Sequence, residues 1–254
     1  MPITNEQFIS EYLERIGYHG SLTPSQETLI ALQRQHLYSI PFENLDLLKP
    51  SFTPNLDRDY LFDKLVRRRR GGVCYELNTS FYNLLTALGF SACQISGRGR
   101  PGTPITGHVF TLVHLEEGDY TADVGFGESA VPPLRIDGGE TVTAYHSTFW
   151  LEREDADLVR LYQRHPGGEP ALCYQFSLTP RTQEDYMDTF RFSAAPGNTV
   201  FSQRPICCRV TPEGRITLRR SVLTVERGGQ AVESRPIAPG EETERCLREY
   251  FDLP

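Results

Sequence analysis

The apolar residues of this chain change their spacing once, near residue 90, and that change limits what it can fold into. Before it, Phe8, Tyr12, Leu13 and Ile16, then Leu29 and Leu32, then Leu61 and Leu65, and finally Leu77, Phe81, Leu84, Leu85 and Leu88 recur at helical spacing. After it, the runs 91–98, 107–116, 119–124, 142–153, 158–163 and 171–178 read as short strands separated by Gly, Pro and Asp. A block of helices followed by a block of strands is an α+β chain, with a small barrel or sandwich at its centre.

The borders of these blocks carry local signals. Thr4 with Gln7, and Thr23 with Gln26 behind Pro24, read as capping boxes that open the first two helices. The second fades near Ser39, and Pro41-Phe42-Glu43-Asn44 reads as a turn. A third helix begins at Asp57 and runs to Arg67-Arg68-Arg69-Arg70, where positive charge suits a C-terminus, and Gly71-Gly72 ends it. The fourth must start close to Cys74 and closes at Gly89. Further on, a short helix around 182–190 precedes strands at 199–211 and 215–226, joined at Pro212-Glu213-Gly214, and a last helix lies near 241–251.

Charge and cysteine usage narrow the function classes. The 254 residues hold 26 Lys and Arg against 33 Asp and Glu, a net charge of −7, which excludes a general nucleic-acid binder because phosphate affinity rests on clustered cations. Arg67 to Arg70 fit a capped helix end with a solvated face. No stretch approaches the roughly 18 apolar residues of a membrane span, and the first fifteen residues lack a basic segment followed by an apolar one. Six cysteines without a C-x-x-C pattern read as reduced thiols of a cytoplasmic protein. Cys207-Cys208, and His108 with His114, lack zinc-ligand spacing, so no metal is expected. Gly97-x-Gly99-x-x-Gly102 has the form of a dinucleotide fingerprint, but Pro104 and a strand follow it where a helix is required.

One constellation carries chemistry. A nucleophilic cysteine gains from a helix N-terminus, whose dipole favours the thiolate, and from preceding glycines that leave room for a substrate carbonyl. Gly71-Gly72-Val73-Cys74 meets both needs, and first-turn N–H groups could hold the oxyanion of acyl transfer. The thiol also needs a base and the base an orienting partner. His108 in Gly107-His108-Val109-Phe110 and Asp123 in Asp123-Val124-Gly125-Phe126-Gly127 are the candidates, against a plain strand histidine and a turn aspartate. A tight turn at Glu117-Gly118 would set His108 opposite Gly127, four residues or about 13 Å from Asp123. Contact then requires a longer loop, a bulge or strong twist.

Arg70-Gly71-Gly72-Val73-Cys74-Tyr75-Glu76-Leu77-Asn78, Pro41-Phe42-Glu43-Asn44 and Asp123-Val124-Gly125-Phe126-Gly127, with His108 ahead of the last, resemble the arylamine N-acetyltransferases over nearly the whole chain. That resemblance implies a helical bundle over 1–90 carrying the cysteine, an antiparallel β-barrel over 91–190 carrying the histidine and aspartate, and an α/β lid over 191–254. It makes Cys74, His108 and Asp123 a triad similar in plan to that of cysteine proteases, with acetyl-CoA as co-substrate and no permanently bound cofactor. The implied mechanism is ping-pong, through a Cys74 thioester to an arylamine or hydrazine, in the family's role of xenobiotic metabolism. Phe42, Phe126 and Phe201 are implied in the acceptor pocket, where flat amines meet aromatic partners. Arg98, Gly99, Arg100 and Thr103, with Gly107, Phe126 and Gly127, are implied near coenzyme A; Gly107 stands where many members carry Thr or a similar polar residue. Three other readings share the scaffold: an amide synthase with another acyl donor, a cysteine hydrolase, and a binding protein with an inert Cys74. Pocket shape decides between donors, so the sequence leaves the acceptor, the acyl chain and the oligomeric state open.

Overall fold

Helix α1 (Asn5–Ile16) opens where expected, with the Thr4 hydroxyl accepting the Gln7 N–H. Helix α2 (Gln26–Ser39) opens later than the second box suggests. Ser25 accepts the Thr28 N–H and caps it, while the Thr23 N–H is already engaged by Ser21 in the preceding turn. A computed structural model describes residues 3–99, 102–127 and 129–254 of the chain.

After α2 the chain departs from the expected turn. Phe42 and Glu43 form a two-residue strand, β1 (Phe42–Glu43), opposite Cys208 and Cys207. Helix α3 (Arg58–Phe62), capped by Asp57, passes into a π turn over Asp63–Arg67, so the helix expected to reach Arg70 loosens before it. Helix α4 (Cys74–Ala87) begins at the cysteine itself.

The remaining strands are β2 (Ser91–Arg98), β3 (His108–Leu115), β4 (Gly118–Ala122), β5 (Val142–Ala144), β6 (Ser147–Arg153), β7 (Leu158–Arg164) and β8 (Ala171–Arg181). They are followed by α5 (Gln183–Ala194), β9 (Ile206–Thr211), β10 (Gly214–Arg219), β11 (Val222–Arg227), β12 (Gln230–Pro236) and α6 (Glu241–Phe251). Two expected single strands are hairpins. Tyr145-His146 and Arg220-Ser221 turn the chain with positive φ at both residues, a geometry usually supplied by Asn-Gly and therefore not announced here.

Strands β2 to β8 make one antiparallel sheet in the order β4-β3-β2-β8-β7-β6-β5, with β4 and β5 at its ends and unpaired with each other among the described residues, so the sheet is curled rather than closed into a ladder. A second sheet runs β1-β9-β10-β11-β12. Strand β3 is buried on both faces. Val109 and Val113 pack into the helices with Phe81 and Leu84, while Phe110 and Leu112 pack with Ile95, Phe149 and Phe176. This double burial explains the continuous apolar run after His108.

The start of α4 rests on a buried ionic cluster. Lys64, 1% exposed, donates to Glu76 Oε1 at 2.7 Å and meets Asp46 Oδ2 at 2.9 Å. Glu76 Oε2 accepts the N–H of Val73, the residue before the cysteine. Arg70 bonds Glu43 Oε1 at 2.6 Å and reaches Asp46, tying β1 to the same loop. Gly71 is required there: a Cβ would sit 2.1 Å from the Pro41 carbonyl oxygen. Lys64→Met strands the buried Glu76 carboxylate, while Asp46 keeps Lys49 and Arg70, and is expected to cost about 3–5 kcal/mol in denaturant unfolding, with the double variant Lys64→Met/Glu76→Gln recovering part of it.

Candidate active site

Cys74 is the first residue of α4, and Asn78 lies one helical turn behind it on the same face. The Asn78 amide donates to the Val109 carbonyl at 2.7 Å and to Asp123 Oδ1 at 3.0 Å, and its oxygen accepts the Val124 N–H at 2.8 Å. One side chain thus locks the cysteine helix to β3 and to the end of β4.

The hairpin between those strands turns at Glu116-Glu117, one residue earlier than expected, because Leu115 pairs with Gly118. Continuing the register from Thr111 opposite Ala122 puts Phe110 opposite Asp123, so His108 is a diagonal neighbour two positions away on the same face. No bulge is needed. His108 Nε2 lies 2.7 Å from Asp123 Oδ2, and Cys74 is among the groups that act on the ring's charge. Gly125 permits this closeness: a Cβ there would fall 2.7 Å from Cys74 Cα and 2.6 Å from the Asn78 amide.

Asp123 is fully buried and all its acceptor capacity is used. Besides His108 and Asn78 it accepts the Gly125 N–H at 2.9 Å and the Tyr174 hydroxyl at 2.9 Å, while its own N–H goes to Gln33. Burial alone would raise its pKa, but the His108 charge and these hydrogen bonds hold it below the ordinary carboxylate value. His108 moves the other way. Burial disfavours its cation, yet the Asp123 charge and hydrogen bond, with Cys74, carry its pKa up to about 10. Tyr174, Phe110 and Phe126 surround the ring with centroids 5.0, 5.5 and 5.7 Å away.

A family model described as N-acetyltransferase matches residues 25–254. The arylamine N-acetyltransferase of Escherichia coli is 34% identical over 251 residues, covering 96% of this chain and 88% of that one. This chain belongs to the arylamine N-acetyltransferase family. Proansamycin X synthase of Amycolatopsis mediterranei is 32% identical over 237 residues, covering 89% of this chain and 90% of that one. Among solved structures, the Mycobacterium marinum arylamine N-acetyltransferase in complex with CoA superposes with a TM-score of 0.88 at 29% identity, covering 96% and 92% of the two chains. The chain is accordingly an acyltransferase enzyme with the family's mixed α+β fold.

The other expected residues divide between two places. Phe42 is buried, its ring 6.1 Å from that of Phe201, and it packs against Gly127; Phe126 stands beside His108. Gly99, Phe126 and Gly127 border a cleft of about 450 Å³ between the two sheets, whose walls also carry His165, Arg215 and Arg219. Arg98 makes two hydrogen bonds to Gln175 Oε1, at 3.3 and 3.1 Å. Thr103 and Gly107 are exposed, the latter with its N–H on the Pro104 carbonyl, and Arg100 lies outside the described residues. Tyr174 and Gln33 escaped the sequence reading, since each comes from an element remote in sequence. Asn78 carried a readable signal, an amide four residues after the cysteine.

The two shifts set opposite pH limits on folding. The raised pKa of His108 contributes stability that is complete below about 6.5 and is lost as pH climbs through about 10, while the lowered pKa of Asp123 contributes stability that is lost in acid. In thermal melts from pH 6 to 10, the gap between the wild-type chain and Asp123→Asn is expected to narrow steadily. A constant gap would contradict the ion pair.

Proposed function

We propose that this arylamine N-acetyltransferase transfers acetyl from acetyl-CoA by a ping-pong route through a Cys74 thioester, with Cys74, His108 and Asp123 as its catalytic residues. The observation that carries the reading is the cysteine at a helix start, packed against Gly125 of the loop after Asp123, with the His108 imidazole 2.7 Å from that buried carboxylate and acted on by Cys74. A proton held on His108 at neutral pH leaves the sulfur beside a cation, the state in which it is nucleophilic.

In the first half-reaction the sulfur attacks the acetyl carbonyl and a C–S bond forms. N–H groups at the start of α4, ahead of the Glu76 N–H that bonds the Val73 carbonyl, take the oxyanion. The bond to the coenzyme A sulfur then breaks, and His108 gives that sulfur its proton. In the second, an arylamine or hydrazine nitrogen attacks the thioester and passes its proton to His108, and the Cys74 sulfur leaves. Asp123 keeps the ring oriented and its cation stabilised throughout, as in the serine triad.

Phe42, Phe126 and Phe201 offer aromatic surface to a flat acceptor, and Phe126 joins this surface to the cleft beside Gly99 and Gly127. That cleft carries Arg215, paired with Glu226, and Arg219 on its wall beside Gly99 and Gly127, where the donor's phosphates would lie. Six cysteines with no disulfide among them support a cytoplasmic setting. The coverage by Proansamycin X synthase favours one alternative, in which the same residues serve a different acyl donor.

Incubation with acetyl-CoA alone should add one acetyl mass to the chain, mapping to Cys74 and discharged by an aromatic amine or hydrazine. Cys74→Ala should lose both steps. Absence of the adduct, while a small alkylating reagent still modifies Cys74 rapidly, would move the reading to another donor. Discharge in water at the same rate without amine would make the enzyme a hydrolase.

A further inference from the structure

The far end of β3 holds a second thiol, imidazole and carboxylate in line. His108 and His114 are six residues apart on one face of the strand, about 20 Å at the usual rise, so this second set is separate from the active site. Asp119 of β4 stands directly opposite His114, and Cys93 of β2, opposite Leu112, is its diagonal neighbour on the other side. His114 Nδ1 is 2.7 Å from Asp119 Oδ1, and Cys93 Sγ is 3.9 Å from His114 Nε2. With the Nδ1 proton donated to the carboxylate, the Nε2 lone pair faces the sulfur. The histidine and aspartate side chains are 42% and 43% exposed, and Cys93 beside them is half-buried.

We propose that Cys93 is a modification site, a base-assisted thiol that exchanges with low-molecular-weight disulfides to form a mixed disulfide on the protein. The Cys93 sulfur attacks one sulfur of the reagent as His114 accepts the thiol proton. The new S–S bond forms as the old one breaks, the Cys93 sulfur is oxidised, and the departing thiolate is reduced and takes the proton back from His114. Acyl transfer is a poorer fit. It builds an oxyanion that needs convergent free N–H donors, and Cys93 stands inside β2, opposite Leu112 of β3, rather than at a helix start.

The chain carries its own control. Cys173 is also half-buried, and its partner is the Gln163 side-chain oxygen at 3.7 Å rather than a base. Burial pushes both thiols up, and a carboxylate charge adds to this at each, Asp119 at Cys93 and Asp123 at Cys173, so each rests as a thiol and needs its proton removed during attack. His114 supplies that removal at only one of them.

The test treats the full chain with the neutral reagent bis(2-hydroxyethyl) disulfide at pH 7.5, quenches with acid over time and quantifies the adduct at each cysteine by peptide mapping. Cys93 should thiolate on the order of ten- to a hundredfold faster than Cys173, the scale of general-base assistance by a loosely held, exposed group. His114→Gln should bring Cys93 to the pace of Cys173 while leaving Cys173 itself unchanged. Asp119→Asn, which keeps an acceptor for Nδ1, should cause only a severalfold loss, and it serves as the second variant if His114→Gln shifts the melting temperature. Equal rates at Cys93 and Cys173, or an undiminished Cys93 rate in His114→Gln, would overturn the assignment.

Discussion

A carboxylate sealed from water keeps its charge only when its oxygens are filled by donors and a cation stands beside it, and Asp123 is such a carboxylate. Its four partners come from four different places: His108 on β3, Asn78 on α4, Tyr174 on β8 and the Gly125 N–H in the loop beyond β4. Satisfying one charge therefore brings together the helix that begins at Cys74 and the sheet that carries the histidine. Each oxygen accepts from two of these donors, so loss of any one weakens the solvation of a buried charge, and this part of the architecture is held as a unit.

The same logic acts beneath the cysteine. Lys64, Arg70 and Lys49 pair with Glu43, Asp46 and Glu76, and Glu76 spends its second oxygen on the N–H before Cys74. Two glycines complete the approach, Gly71 under the Pro41 carbonyl and Gly125 against the Cys74 backbone. Charge fixes where the helix starts, and missing side chains let the strands come close enough to use it.

Local signals were legible wherever neighbours in sequence decide the structure. The cap at Thr4, the start of a helix near Cys74 and the strands flanking the 116–117 turn follow from residues within a few positions of one another. Partners far along the chain were not. Strand β1 exists because Phe42 and Glu43 pair with Cys208 and Cys207, and a turn-like Pro-Phe-Glu-Asn gives no hint of that. The hairpin slipped by one residue because Gly118, with φ of 136°, serves as the first residue of β4 instead of as a turn residue. That slip halves the offset between His108 and Asp123 and places them diagonally. Tyr174 reaches Asp123 across 51 residues, a distance no periodic pattern encodes.

The central claim is that His108 stays a cation in neutral solution because Asp123 stabilises it. Nitrogen NMR on the histidine-labelled enzyme reads that state directly. The account predicts an imidazolium signal for His108 that persists through pH 8 and is lost near pH 10, whereas a neutral ring at pH 7 would contradict it.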